Sequence, residues 1–300
     1  MNADAPNPDA PNVSGAERAE RADRADREAD PLVTLAALPG VAEAVDAVRT
    51  AVDGLYGHRV MRRRSPEIAA EAALRGARGS AALAGADWAL EEVRRRGDFG
   101  ADPEARTVGA ALRLTAEAGQ SLAVWPASPL RVLARLHLVA AGGAVRDDAV
   151  GRPRLPGEPV VDDELDGAGR PAPDAAEVAA RLDALGRLVL GGSAAPALVT
   201  AAVVHGELAA LRPFVSHNGL VARAAERIVL VGGGLDPKSV TPAEVGHAEA
   251  GRAGYRAALA GYTSGTRDGV AGWIAHCGRA VELGARESVA VCEALQRGAA

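Results

Sequence analysis

Aromatic side chains are scarce in this 300-residue chain, 3% in all, with three Trp, three Tyr and two Phe. Sheets are usually faced by β-branched and aromatic residues, so this scarcity disfavours a β fold. The 48% apolar content is carried instead by Ala, Leu and Val, and Ala and Leu are strong helix formers. Lysine is almost missing: Lys238 is the only one, and the other basic residues are arginines interleaved with Asp and Glu to a net charge of −5. No concentrated positive face results, which excludes a nucleic-acid partner. Arg62 to Arg64 and Arg94 to Arg96 are the densest basic runs and read as solvated helix faces or ends.

Cysteine is limited to Cys277 and Cys292. They fall fifteen positions apart in a helical pattern, about 22 Å at 1.5 Å per residue, whereas a disulfide tolerates only about 7 Å between Cα atoms. Neither sits in a CxxC pair, so a zinc knuckle has no support. No run of about 18 apolar residues and no basic-then-apolar leader occurs, so a membrane is not expected as a partner and a cytoplasmic location is.

The patterning divides into a polar, disordered tail over 1–30, an N-terminal helical region over 31–120 and a helical core with C-terminal helices over 121–300. Val41, Val45, Val48 and Val52 keep one apolar stripe; Ile68, Ala72 and Leu83 belong to a second helix. Trp125 and Pro126 break the pattern, and Gly142 and Gly143 end a Leu-rich helix. RPRLPGEPVV, at 152–161, has room for a short β-hairpin but too many prolines for a central strand. Helix resumes near Asp174, and Ser193 is the expected N-cap of the next one, with Pro196 in its first turn. The fold class expected is all-α, with that hairpin as its one β element.

The informative stretch is Ala201 to Leu230, a helix, a short loop and a second helix supported by Val221, Ala224, Ala225, Ile228 and Val229 at helical spacing. Ser216, His217, Asn218 and Gly219 precede the second helix, whose N-terminus offers free N–H groups and a positive dipole end to an anion. The loop, RPFVSHNGLVAR, resembles the signature HPFxDGNGRxxR of the Fic (Fido) family. Pro213, Phe214, Asn218, Gly219 and Arg223 stand where that family has them, and the tail segment around Tyr255 to Ile274 is also similar. The resemblance implies an all-helical fold, a phosphate cradle at Ser216, His217, Asn218, Gly219 and Arg223, ATP and magnesium as cofactors of an active member, and transfer of AMP to a protein target.

The departures bear on that activity. Arg212 occupies the place of the family's general base, and a guanidinium cannot accept a proton at neutral pH. Ser216 replaces the acid that holds magnesium, His217 the first cradle glycine, and Leu220 the first arginine. Ser80 to Gly85, SAALAG, is similar to the family's inhibitory SxxxEG segment, with Ala84 in place of the glutamate that restrains the last arginine; Arg223 is therefore expected to lack its partner.

RIVLVGGGLDP, Arg227 to Pro237, imitates a dinucleotide turn but has Pro237 where GxGxxG needs glycine, and reads as a helix ending at a glycine cap. His205 and Glu207 form an HxE without a PCxxC, and His205 reads as a hydrogen-bonded core residue. His58, His137, His247 and His276 have no metal-like spacing, and no metal ligand is assigned. Three readings stay open: a Fic-like binding or regulatory module with a residual nucleotide site, an active transferase with His217 or a substrate group as base, and a structural or interaction protein.

Overall fold

The computed structural model describes residues 30–100, 102–161 and 163–298; among them helices are the only regular elements and there is no strand. Except for Asp30, the tail expected over 1–30 lies outside the described residues. Asp30 caps α1 (Pro31–Ala36) by accepting from the Leu32 N–H at 2.9 Å. The valine stripe forms α2 (Val41–Gly57) and is buried throughout. In α3 (Met61–Leu83) Arg64 departs from helical geometry two residues before Pro66, which cannot donate a helix hydrogen bond. The short α4 (Leu90–Arg95) leads to α5 (Pro103–Ser121), which Asp102 caps with proline in the first turn. The two arginine runs behave as solvated faces, with Arg64 on Glu67 and Arg94 on Glu71 and Glu91.

After α6 (Pro129–Ala141) the chain enters a Gly- and Pro-rich excursion with two single turns of 3-10 helix, Asp147–Ala149 and Asp163–Leu165. The stretch expected as a hairpin reverses direction without forming a strand. Its Glu158 N–H donates to the Leu155 carbonyl at 3.0 Å, while Arg154 and Val161 donate from their backbones to Pro213 and Val215, each at 2.8 Å. Prolines 153, 156 and 159 remove the donors a ladder would need. Asp174 then caps α7 (Ala175–Gly191). Ser193 does not cap α8 (Ala197–Leu211): the N-cap is Pro196, and the Ser193 hydroxyl donates to Asp30 at 2.8 Å. The sequence offered a serine with the right chemistry, but Asp30, 163 positions upstream, claims it.

Apolar nearly all round, α8 is the central helix, and with α9 (Asn218–Gly232) it makes the most extensive helix pairing described. The GGG stretch ends α9, as expected, with Gly233 at the C-cap. Three helices follow, α10 (Ala243–Glu249), α11 (Gly251–Thr263) and the thirty-residue α12 (Arg267–Gln296), and α12 packs against α2, α10 and α11. Both cysteines lie in α12, buried and unpaired. Close approach of α10 to α12 depends on Gly246, where a Cβ would lie 2.7 Å from the Ala280 carbonyl carbon. One apolar cluster runs from Leu32 to Val281 across all of this. Among the described residues no helix is long and apolar enough to cross a membrane.

Candidate functional site

The loop between α8 and α9 is shaped by two residues in the left-handed region, Arg212 at φ 44° and His217 at φ 59°. Each is a non-glycine in a conformation that costs on the order of 1 kcal/mol, so packing must hold it. Asn218 provides one clamp: its Oδ1 accepts from the Phe214 N–H at 2.8 Å and its Nδ2 donates to the Phe214 carbonyl at 2.9 Å. The Phe214 ring stacks on His137 of α6 at 4.2 Å between centroids. His217 thus holds a left-handed backbone that a glycine would adopt without strain.

Arg212 turns toward the excursion. Its Nη2 donates to the Arg170 carbonyl at 2.9 Å and its own carbonyl accepts from Arg154 Nε at 2.9 Å. Ser216 Oγ sits 2.7 Å from His217 Nδ1. Burial, reinforced by the charge of Arg113, pushes the His217 imidazole down to about 4, so it is neutral at pH 7. It lines a cleft of about 500 Å³ with Arg106 and Arg113. Arg223 is not on that cleft.

Arg223 is almost completely buried and has a carboxylate partner, contrary to expectation. Glu164, from the second 3-10 turn, forms an ion pair with its Nη1 and accepts from Nη2 at 3.2 Å. Ser80 takes the remainder of the guanidinium, its hydroxyl accepting from Nε at 2.8 Å and its carbonyl from Nη2 at 3.1 Å. Of the SAALAG residues, Ser80 therefore reaches the arginine. Ala84 caps α3, and Gly85 lies exposed beyond it. The carboxylate on Arg223 thus comes from outside the SAALAG segment, and no motif in the sequence marked Glu164.

The Glu164 carboxylate also lies over the start of α9. A Cβ at Gly219 would stand 2.6 Å from Glu164 Cδ, so only glycine admits the carboxylate there. This is where a helix N-terminus favours negative charge. Arg256 Nε fixes the same turn by donating to the Glu164 carbonyl at 2.8 Å. The donor set does not suit a magnesium ion: Ser216 is neutral, and the adjacent carboxylate is consumed by Arg223.

Solved structures share this arrangement of helices. A Fic family protein from Desulfovibrio desulfuricans G20 aligns with TM-score 0.67 and 21% identity over 84% of this chain and 75% of its own. Fic-1 from C. elegans aligns with TM-score 0.59 and 17% identity over 93% and 78%. The chain has the Fic fold. A Fic domain containing signaling protein from Bacteroides thetaiotaomicron VPI-5482 is also similar, with TM-score 0.54 and 13% identity over 83% of this chain and 98% of that one. No family model and no curated protein matches the sequence. The all-helical fold that the loop's likeness to the Fic signature implied is thereby present, with that loop between its two central helices.

Proposed function

We propose that this Fic-fold protein is a binding or regulatory module without nucleotidyl transfer, whose residual anion site at Asn218, Gly219 and Arg223 is closed by its own Glu164. The observation that carries this reading is the Glu164 carboxylate against Gly219 and Arg223, the place a phosphate would take. Replacement of the base by Arg212 and of the metal acid by Ser216 argues in the same direction. A phosphate-bearing ligand, a nucleotide above all, would have to displace Glu164 before binding, which makes occupancy conditional and suits a regulated module.

The test compares the unaltered chain with Glu164→Ala. Titrating ATP or inorganic phosphate should stabilise Glu164→Ala saturably and the unaltered protein far less, because a ligand that binds only the native state raises its melting temperature. Adding Arg223→Ala should abolish the response. Neither protein should transfer label from ATP with magnesium to proteins of a lysate. An acceptor labelled by the unaltered chain, and not by Arg223→Ala, would overturn the proposal in favour of an active transferase.

A further inference from the structure

A second polar cluster lies in the core, one residue removed from Arg223, since Tyr255 bonds both His205 and Arg223. His205 on α8, Glu226 on α9, His247 on α10 and Cys277 on α12 are all buried, and one donor atom from each lies within 4.8 Å of the other three. Their separations in sequence, 21, 21 and 30 positions, carry no local spacing signal, which is why reading the histidines one at a time found nothing. The helix packing assembles what the sequence disperses.

Buried polar side chains are ordinarily satisfied by hydrogen bonds. Two atoms here are not: His205 Nδ1 and Glu226 Oε1 have no hydrogen-bond partner. Nδ1 stands 3.0 Å from Glu226 Oε2, and His247 Nε2 shares a hydrogen bond with the same oxygen at 2.9 Å. Electron-rich atoms converging on one volume from four helices are what a shared cation resolves. The far side of each imidazole is held as well, His205 Nε2 by the Tyr255 hydroxyl at 2.7 Å and His247 Nδ1 by His276 Nε2 at 3.1 Å. A ligating imidazole characteristically has its other nitrogen in such an outer hydrogen bond, which fixes the tautomer and leaves the inner lone pair for the metal.

We infer that His205, Glu226, His247 and Cys277 form a closed structural zinc site. Donor atoms around tetrahedral zinc are about 3.3 to 3.8 Å apart, so the tight Glu226 contacts need to open, and the widest separation to close, by no more than about 1.5 Å. Nitrogen and sulfur donors exclude magnesium and calcium, which take oxygen. Charge fits too: one carboxylate and one thiolate cancel a dication, so a neutral unit is buried. The Cys277 thiol proton leaves to solvent as the sulfur–zinc bond forms. With four protein ligands no position stays open for substrate, so the ion ties helices together. The site stands independently of whether the loop binds an anion.

The test uses the full chain expressed in zinc-supplemented medium. Elemental analysis should find close to one zinc per chain. After removal by chelator, cobalt should restore thermal stability and give visible d–d bands with a near-ultraviolet thiolate-to-cobalt band. Cys277→Ser and Glu226→Gln should lose metal or that band, while Cys292→Ser, a buried cysteine outside the cluster, should retain both. If the two ligand variants fail to fold, stripping and reloading the unaltered protein decides alone. A metal-free protein whose melting temperature ignores chelator and zinc overturns the inference, and so does cobalt uptake without a thiolate band.

Discussion

The Arg223 and Glu164 pair is buried on both sides, which makes its two members unequal as targets. Removing one leaves an uncompensated charge in the core, at about 3 to 5 kcal/mol, whereas replacing both with apolar residues of similar size is often near neutral. Without ligand, Glu164→Ala should therefore lower unfolding free energy by about that amount, and Glu164→Leu with Arg223→Met should recover most of it; denaturant titration of the three proteins checks this. Equal losses in the single and double variants would mean the pair is not coupled in this way. At this scale the sequence was partly legible. Pro213, Phe214, Asn218, Gly219 and Arg223 were visible because their spacing is local. Glu164 was not, since it lies 59 positions from its partner within a polar, Gly-rich stretch that gave no reason to expect burial. Its neighbour Leu165, buried in the main core, is what carries it inward.

Among the elements, helices with a periodic apolar face and a chemically distinct start were readable. α2 follows its valine stripe, and α7 starts at Asp174, whose side chain accepts from the Glu177 N–H at 2.8 Å. Ser193 misled because a serine before a proline has cap chemistry wherever it lies, and only the tertiary position of Asp30 decides what the hydroxyl bonds. The close contact of α10 and α12 had no signature beyond a glycine. Asp174→Ala should cost about 1 kcal/mol, the usual loss of an N-cap. Gly246→Ala should cost about 1 to 3 kcal/mol by forcing α10 away from Ala280. The two substitutions should also differ in metal content, because only Gly246 adjoins His247: unfolding midpoints and elemental analysis on both variants would show it, and equal metal loss would count against the geometry.

At the scale of the whole molecule, acidity should weaken the fold through histidines kept neutral. Burial is the main force pushing His137 down to about 4, and His217 is held at about 4 likewise. The unfolded chain binds protons on these groups near 6.5 while the folded chain does not, so it holds more protons between pH 6.5 and about 4. The contribution of these two groups to stability is therefore full above 6.5, falls as pH drops through that window and levels off below about 4. The loss is on the order of a few kcal/mol. Urea midpoints measured from pH 7 to pH 4 should show the fall, and His137→Gln should flatten it; an unchanged slope would assign the loss elsewhere. Part of the hold on the excursion should behave differently. Arg154, Arg212 and Arg256 fasten it to the carbonyl oxygens of Arg212, Arg170 and Glu164, and neither a guanidinium nor a carbonyl gains or loses a proton in this range. These three fastenings are deaf to acidity, so whatever springs them must compete for the guanidinium groups by charge and shape.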